Sequence, residues 1–141
     1  MKKILLAASL VVALCSCQES LEERAAREAN DFTRKNCPVK ISDVLTTDSL
    51  VFDKATHTLH YCLSVSGSAD TTVIRKDVLR ADMVKSLKSN TAIRNYKDAG
   101  YTFKYTFFST KHRGMVLCEV IITNKDYSQP SVAPHEEDKT K

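Results

Sequence analysis

The sequence predicts an α+β domain of two layers: a four-stranded antiparallel sheet with helices on one face, in the order α-β-β-α-β-β. Three observations carry this. Leu21, Ala25, Ala29 and Phe32 recur at helical spacing near the start. Thr58–Ser66 and Tyr101–Phe107 alternate apolar and polar residues with the period of a half-buried strand. Between those two blocks, Val78, Leu79, Met83 and Leu87 restore a helical period over Asp77–Ser89.

The first helix is expected from Ser20 to about Lys35. Ser20-Leu21-Glu22-Glu23 is an S-x-x-E capping box, with Ser20 as N-cap and Glu23 at N3. Glu22, Glu23, Arg27 and Arg34 take the solvent side, and Asn36-Cys37-Pro38 ends the helix because a residue before proline avoids helical geometry. Val39–Asp43 reads as short and extended. Asp48–Asp53 reads as a strand with Leu50 and Phe52 facing one way. After a turn at Lys54–His57, the next strand puts Leu59, Tyr61, Leu63 and Val65 on one face. His60, Cys62, Ser64 and Ser66 fall on the other, and Gly67-Ser68-Ala69-Asp70 ends this hairpin.

Beyond the Asp77–Ser89 helix, Thr91–Ala99 predicts a second short helix with Ile93 and Tyr96 inward and Gly100 as its C′ residue. In the last hairpin Tyr101, Phe103, Tyr105 and Phe107 alternate with Thr102, Lys104 and Thr106. Lys111–Gly114 turns, and Met115–Thr123 returns. Glu119, the single charge in that strand, assigns its faces. Val116, Cys118, Val120 and Ile122 point inward, and Glu119 points outward opposite Lys104 or a similar partner. From residue 124 to 141 the chain is polar, includes Pro130 and Pro134, and reads as a disordered tail.

The N-terminus sets the organisation: residues 1–16 as a signal peptide, then one domain over 17–123. Lys2 and Lys3 precede the apolar run Ile4–Leu14. That run is shorter than the roughly 20 residues needed to cross a hydrocarbon core, and it has the layout of a secretory signal. Leu14-Cys15-Ser16-Cys17 resembles the lipobox of bacterial lipoproteins, with an apolar residue three before the final Cys and a small one just before it. The resemblance implies cleavage before Cys17 and acylation of its thiol and new amine, hence a membrane anchor with no spanning helix. Gln18, rather than Asp, next to Cys17 implies sorting to the outer membrane. Glu19, Glu22 and Glu23 fit either a surface-export signal or a first helical turn, where acidic groups suit the helix dipole.

The segment Asn36-Cys37-Pro38-Val39, then Asp43, Thr47-Asp48-Ser49 and a hairpin around Tyr61, is followed later by Ala99-Gly100-Tyr101-Thr102-Phe103-Lys104-Tyr105. This pattern, over Asn36–Thr123, resembles a group of small uncharacterised bacterial envelope lipoproteins. The resemblance implies one α+β domain in the envelope and brings no activity with it.

The net charge of +4 falls to +2 without Lys2 and Lys3, and no basic cluster interleaves with aromatics, so nucleic-acid binding has no support. Cys15 leaves with the signal and Cys17 is expected to be lipidated. Cys37, Cys62 and Cys118 remain, enough for one bridge in a compartment that permits disulfides. The face assignment puts Cys62 and Cys118 on opposite sides of the sheet, which leaves Cys37–Cys118 as the easiest pairing. The rival is no bridge, with Cys118 a buried thiol.

Catalytic and metal signatures are missing. His57 and His60 are three apart, and on a strand such residues face opposite ways. No zinc spacing follows the lipobox, no nucleophile elbow surrounds Ser49, Ser64 or Ser66, and no glycine-rich loop cradles phosphate. No metal or cofactor is expected. The stripe Tyr101, Phe103, Tyr105, Phe107 is either core or an exposed platform for a peptide or sugar. Glu119 is either an outer-face charge or a buried catalytic carboxylate. The leading functional reading is a non-enzymatic, outer-membrane-anchored lipoprotein that binds an envelope protein or a glycan. The alternative is an inhibitor or immunity-type lipoprotein that probes a hydrolase with the loop Ala69–Thr72 or Ser109–Gly114. A hydrolytic enzyme is the third.

Overall fold

The computed structural model describes residues 19–71 and 74–128. Residues 1–16, expected to be a signal peptide, Cys17, Thr72 of the candidate loop and the expected tail from 129 onward lie outside the described residues. The first helix, α1, spans Leu21–Asn36 and begins at the expected capping box. The Ser20 hydroxyl accepts from the Glu23 N–H at 3.1 Å, and the Glu23 carboxylate accepts from the Ser20 N–H at 3.0 Å. No described helix is long and apolar enough to cross a membrane.

One sheet of five strands forms the second layer, in spatial order β1 (Val39–Lys40), β2 (Leu45–Asp53), β3 (Thr58–Val65), β4 (Thr102–Ser109) and β5 (Val116–Ile122). The fold is α+β as expected, but the expectation of four antiparallel strands needs two corrections. First, the extended segment after Pro38 pairs with β2, Val39 opposite Thr47 and Lys40 opposite Thr46, and so becomes a fifth strand. Second, β3 and β4 run parallel, Leu59 opposite Phe103 and Tyr61 opposite Tyr105. The connection explains this. Between β3 and β4 lie a 3-10 turn (Gly67–Asp70), helix α2 (Lys76–Ser89) and the short helix α3 (Arg94–Asp98). One helix the length of α2 spans about 21 Å, close to the roughly 26 Å of an eight-residue strand. It carries the chain back to the end where β3 began, so β4 enters in the same direction.

A further correction concerns the C-terminal boundary. Asn124–Ser128 forms a short helix, α4, where the polar composition reads as tail. It is pinned by the Tyr127 hydroxyl, which donates to the Tyr101 carbonyl at 2.7 Å, and by Asp126, which accepts from the Thr123 N–H at 2.8 Å and from Arg80 at 2.7 Å.

The core lies between the helices and one sheet face. Phe103, Val120 and Ile122 are fully buried, with Leu59, Leu63, Phe107 and Cys118 beside them. Ala25 and Ala29 are also buried, and their small size lets α1 lie close along β2. Two bulges shift the alternation. In β2 the register steps from Thr47 opposite Leu63 to Ser49 opposite Cys62, which leaves Asp48 as the extra residue. In β4–β5 it steps from Phe107 opposite Cys118 to Phe108 opposite Val116, which leaves Leu117 unpaired. The second bulge corrects the inward placement of Val116, whose side chain is half exposed. A bulge puts two residues opposite one, so the period-2 pattern slips by one residue beyond it.

The candidate Cys37–Cys118 bridge is not formed; Cys37, Cys62 and Cys118 are free thiols and Cys118 is buried, as the rival reading had it. Cys37 precedes β1 at one edge of the sheet and Cys118 sits on β5 at the other. Four strand spacings of about 4.8 Å separate those edges, well beyond the roughly 7 Å that a disulfide tolerates between Cα atoms. Burial pushes the Cys37 thiol pKa up, with a smaller contribution from Asp48.

A candidate binding groove between two helices

Helix α1 packs along β2 and helix α2 along β5, and between them the inner face is less fully covered at one point midway along β3 and β4. Tyr61 of β3 and Tyr105 of β4 lie there side by side, rings stacked at 4.9 Å, and both remain half-buried. Above them are two adjoining depressions that share Tyr61 and Ile93. One, of about 260 Å³, lies against Ala29, Phe32 and Leu50; the other, of about 210 Å³, lies against Met83, Leu87 and Tyr105. Together they form a groove with α1 as one wall and α2 as the other. Ile93, at the N-cap of α3, stands between the two depressions.

The walls are held by contacts at one end of the groove. The Tyr96 hydroxyl donates to Glu28 Oε2 at 2.7 Å, and Arg24 Nε donates to Glu28 Oε1 at 2.7 Å, which fastens α3 to α1. Burial, and then the bond to Glu28, push the Tyr96 pKa up, so its hydroxyl stays a donor. Tyr101 continues this cluster, stacked on Phe52 at 5.6 Å and on His57 at 5.3 Å, with Tyr96 tilted against it at 5.3 Å. Lys97 Nζ donates to the carbonyls of Leu87 and Lys88 at 2.8 and 2.9 Å, satisfying groups that the end of α2 leaves open.

Chemically the groove is a slot for apolar side chains. Burial raises the pKa of both Tyr61 and Tyr105, and for Tyr105 the neighbouring Tyr61 adds to the effect. Both phenols are neutral and give the floor two polar points in an apolar surround. Glu28 is the one carboxylate of the lining and is already engaged by Arg24 and Tyr96.

The structure splits the aromatic stripe. Tyr101, Phe103 and Phe107 are core, each at most 4% exposed, and Tyr105 alone reaches the groove. Its partner Tyr61 comes from the other hairpin, and sequence reasoning did not connect the two. A partial signal was available: Tyr61 is the one hydroxyl-bearing residue among Leu59, Tyr61, Leu63 and Val65, and Tyr105 sits mid-strand in the aromatic stripe.

The opposite sheet face has a different chemistry. Glu119 is outward and pairs with Lys104 at 3.0 Å, as its position among apolar residues predicted. Thr106 donates to Glu119 at 3.3 Å and bonds His60 Nε2 at 2.8 Å, and Cys62 Sγ lies 3.8 Å from that nitrogen. Ser64 donates to Asp48. The bond to Lys104 is the main cause that holds the Glu119 carboxyl below its ordinary range, while desolvation and then Lys104 lower the pKa of His60. His57 lies apart from His60, at the β2–β3 turn, with its ring 2.8 Å from Glu22. Among the described residues no three His, Cys, Asp or Glu side chains gather as metal ligands.

The α+β fold of this domain, one sheet with helices on one face, is shared with solved structures. The chain is similar to a protein from Pseudomonas aeruginosa described as secreted, with 18% identity and a TM-score of 0.61 over 77% of this chain and 97% of that one. It is similar to the pilotin of the type 2 secretion system of Vibrio vulnificus, with 16% identity and a TM-score of 0.62 over 78% and 93%. The type II secretion system pilotin of Vibrio cholerae gives 19% identity and a TM-score of 0.56 over 74% and 90%. None of the three is described as an enzyme. Within that fold the chain belongs to the family described as domain of unknown function DUF8479, whose model matches residues 20–118. A search of curated proteins finds no match.

Proposed function

We propose that this chain is a non-enzymatic lipoprotein of the outer membrane, anchored by acylation of Cys17, that holds an apolar segment of an envelope protein in the groove between α1 and α2. The observation that carries this reading is the gap over Tyr61 and Tyr105, the place where the core reaches solvent between the helices. A lining of Ala29, Phe32, Met83, Leu87 and Ile93 suits a peptide's apolar side chains, whereas a glycan would need a partner for each hydroxyl. The fold shared with two pilotins supports the same class of role. Two experiments test it. Mass spectrometry of the mature N-terminal peptide should show acylated Cys17, and a free Gln18 amine would remove the anchor. Affinity capture from detergent-solubilised envelopes should recover a protein that is lost with Ile93→Glu but kept with Ile121→Glu on the open face. The reverse pattern would place the site elsewhere.

The inhibitor reading has one observation in its favour. Asp70 braces two loops at the same end of the sheet, accepting from the Thr110 hydroxyl at 3.1 Å and the Lys111 N–H at 2.9 Å. Loss of a captured hydrolase on Lys111→Glu, with Ile93→Glu silent, would favour it.

A further inference from the structure

A second cavity, of about 610 Å³, opens where the end of α2 meets α3 and α4. Lys88, Arg94 and Lys97 line it, with Asp98 as the single acid among the described residues and Tyr127 as one wall. Arg94 and Asp98 form only an exposed pair at 3.6 Å, so the guanidinium is available to a stronger anion. Lys97 is held at the rim by two backbone carbonyls.

The position of this cavity in the fold matters as much as its charge. Tyr96 of α3 bonds Glu28 of α1. Tyr127 of α4 bonds the Tyr101 carbonyl, and the Tyr101 ring stacks on His57, which reaches Glu22 in the first turn of α1. The cavity therefore belongs to the end of the domain that carries the start of α1. Cys17 lies three residues before the N-cap Ser20, a reach of at most about 10 Å. An acyl anchor at Cys17 holds this end against the bilayer surface, within the range over which headgroup charge acts on basic side chains.

We propose that this cavity binds a phosphate ester, the chemistry displayed by anionic phospholipid headgroups. Arg94 forks the phosphate oxygens, and Lys88 and Lys97 supply point charges beside it. The domain then docks on the membrane through two signals, acyl chains and a headgroup contact, instead of swinging on its linker. The orientation rests on the anchor proposed at Cys17; the binding chemistry does not.

The test uses the chain from Gln18 onward, which keeps every described element and lacks the lipid. It should sediment with vesicles of phosphatidylcholine doped with phosphatidylglycerol, in a salt-sensitive manner, and not with phosphatidylcholine alone. Arg94→Gln should weaken this about fivefold, the effect of one basic residue near a charged surface. Lys88→Gln should do the same, which covers the case of one variant failing to fold. Arg27→Gln, on the exposed side of α1, should have little effect. Titration with soluble glycerol phosphate, followed by shifts in the Arg94 side-chain NMR signal, separates a lipid source from a free phosphate ester. Binding in neither arm, or vesicle binding that survives Arg94→Gln and Lys88→Gln but falls with Arg27→Gln, would overturn the proposal. Because the lipid is absent, a negative result leaves the acylation of Cys17 and the groove untouched.

Discussion

The two faces of the sheet use the same strands for opposite purposes. On the inner face Phe103, Val120 and Ile122 are fully buried under helices. On the outer face Lys104, Glu119, Thr106 and His60 form a polar mesh, with Val51, Val116 and Ile121 about half exposed around it. The inner face supplies most of the stability because apolar burial is worth about 25 cal/mol per Å², whereas exposed ion pairs contribute at most about 1 kcal/mol. The inner face is also the one left incomplete, at Tyr61 and Tyr105. An unfinished apolar face has more to gain from a partner than a polar face already satisfied by itself and by water.

That contrast can be broken by substitution. The largest effect should come from Phe103→Ala, which removes a fully buried ring from the centre of the core; a loss of about 3–5 kcal/mol is expected by urea titration. An effect under about 1 kcal/mol would mean that the helices are not the main support. Next is Thr33→Val. The Thr33 hydroxyl both accepts from the Leu50 N–H and donates to the Leu50 carbonyl, each at 2.8 Å, and so closes the exposed edge of β2. Its loss should cost about 1–2 kcal/mol and raise the tendency to associate through that edge, measurable by light scattering.

On the outer face, a double-mutant cycle of Lys104→Ala and Glu119→Ala should give a coupling below about 1 kcal/mol. A coupling of several kcal/mol would show that this face is a structural centre after all. The smallest effect is a pH dependence. His60 has a folded pKa below the ordinary value of about 6.5 because desolvation and then Lys104 disfavour its charged form. The unfolded chain therefore binds a proton first as pH falls, so stability should decline from about pH 7 down through the lowered folded value. His60→Gln should flatten that part of the curve, seen in melting temperature against pH. No flattening would mean that another group controls the slope.

Much of this was legible in the sequence for local reasons. The capping box at Ser20 and Glu23 is satisfied in the structure, and the two alternating blocks became β3 and β4. Glu119 faced outward because one charge in an apolar strand has a single low-cost side. The features that escaped depend on relations between distant segments. The parallel pairing of β3 with β4 follows from how far α2 carries the chain, not from either strand's pattern. The slip at Leu117 that exposes Val116 shows only in the register with Phe107 and Phe108. Helix α4 has a polar sequence and is held by Tyr127 and Asp126 reaching residues far back in the chain. The groove escaped for the same reason: Tyr61 and Tyr105 are 44 residues apart and meet only through the parallel register.

The partner proposed to sit in the gap over Tyr61 and Tyr105 is tested most directly by cross-linking in living cells. A photoreactive residue at Ile93, between the two depressions, should capture one envelope protein, while the same residue at Ile121 on the open face should capture none. Capture at Ile121 with silence at Ile93 would contradict the account.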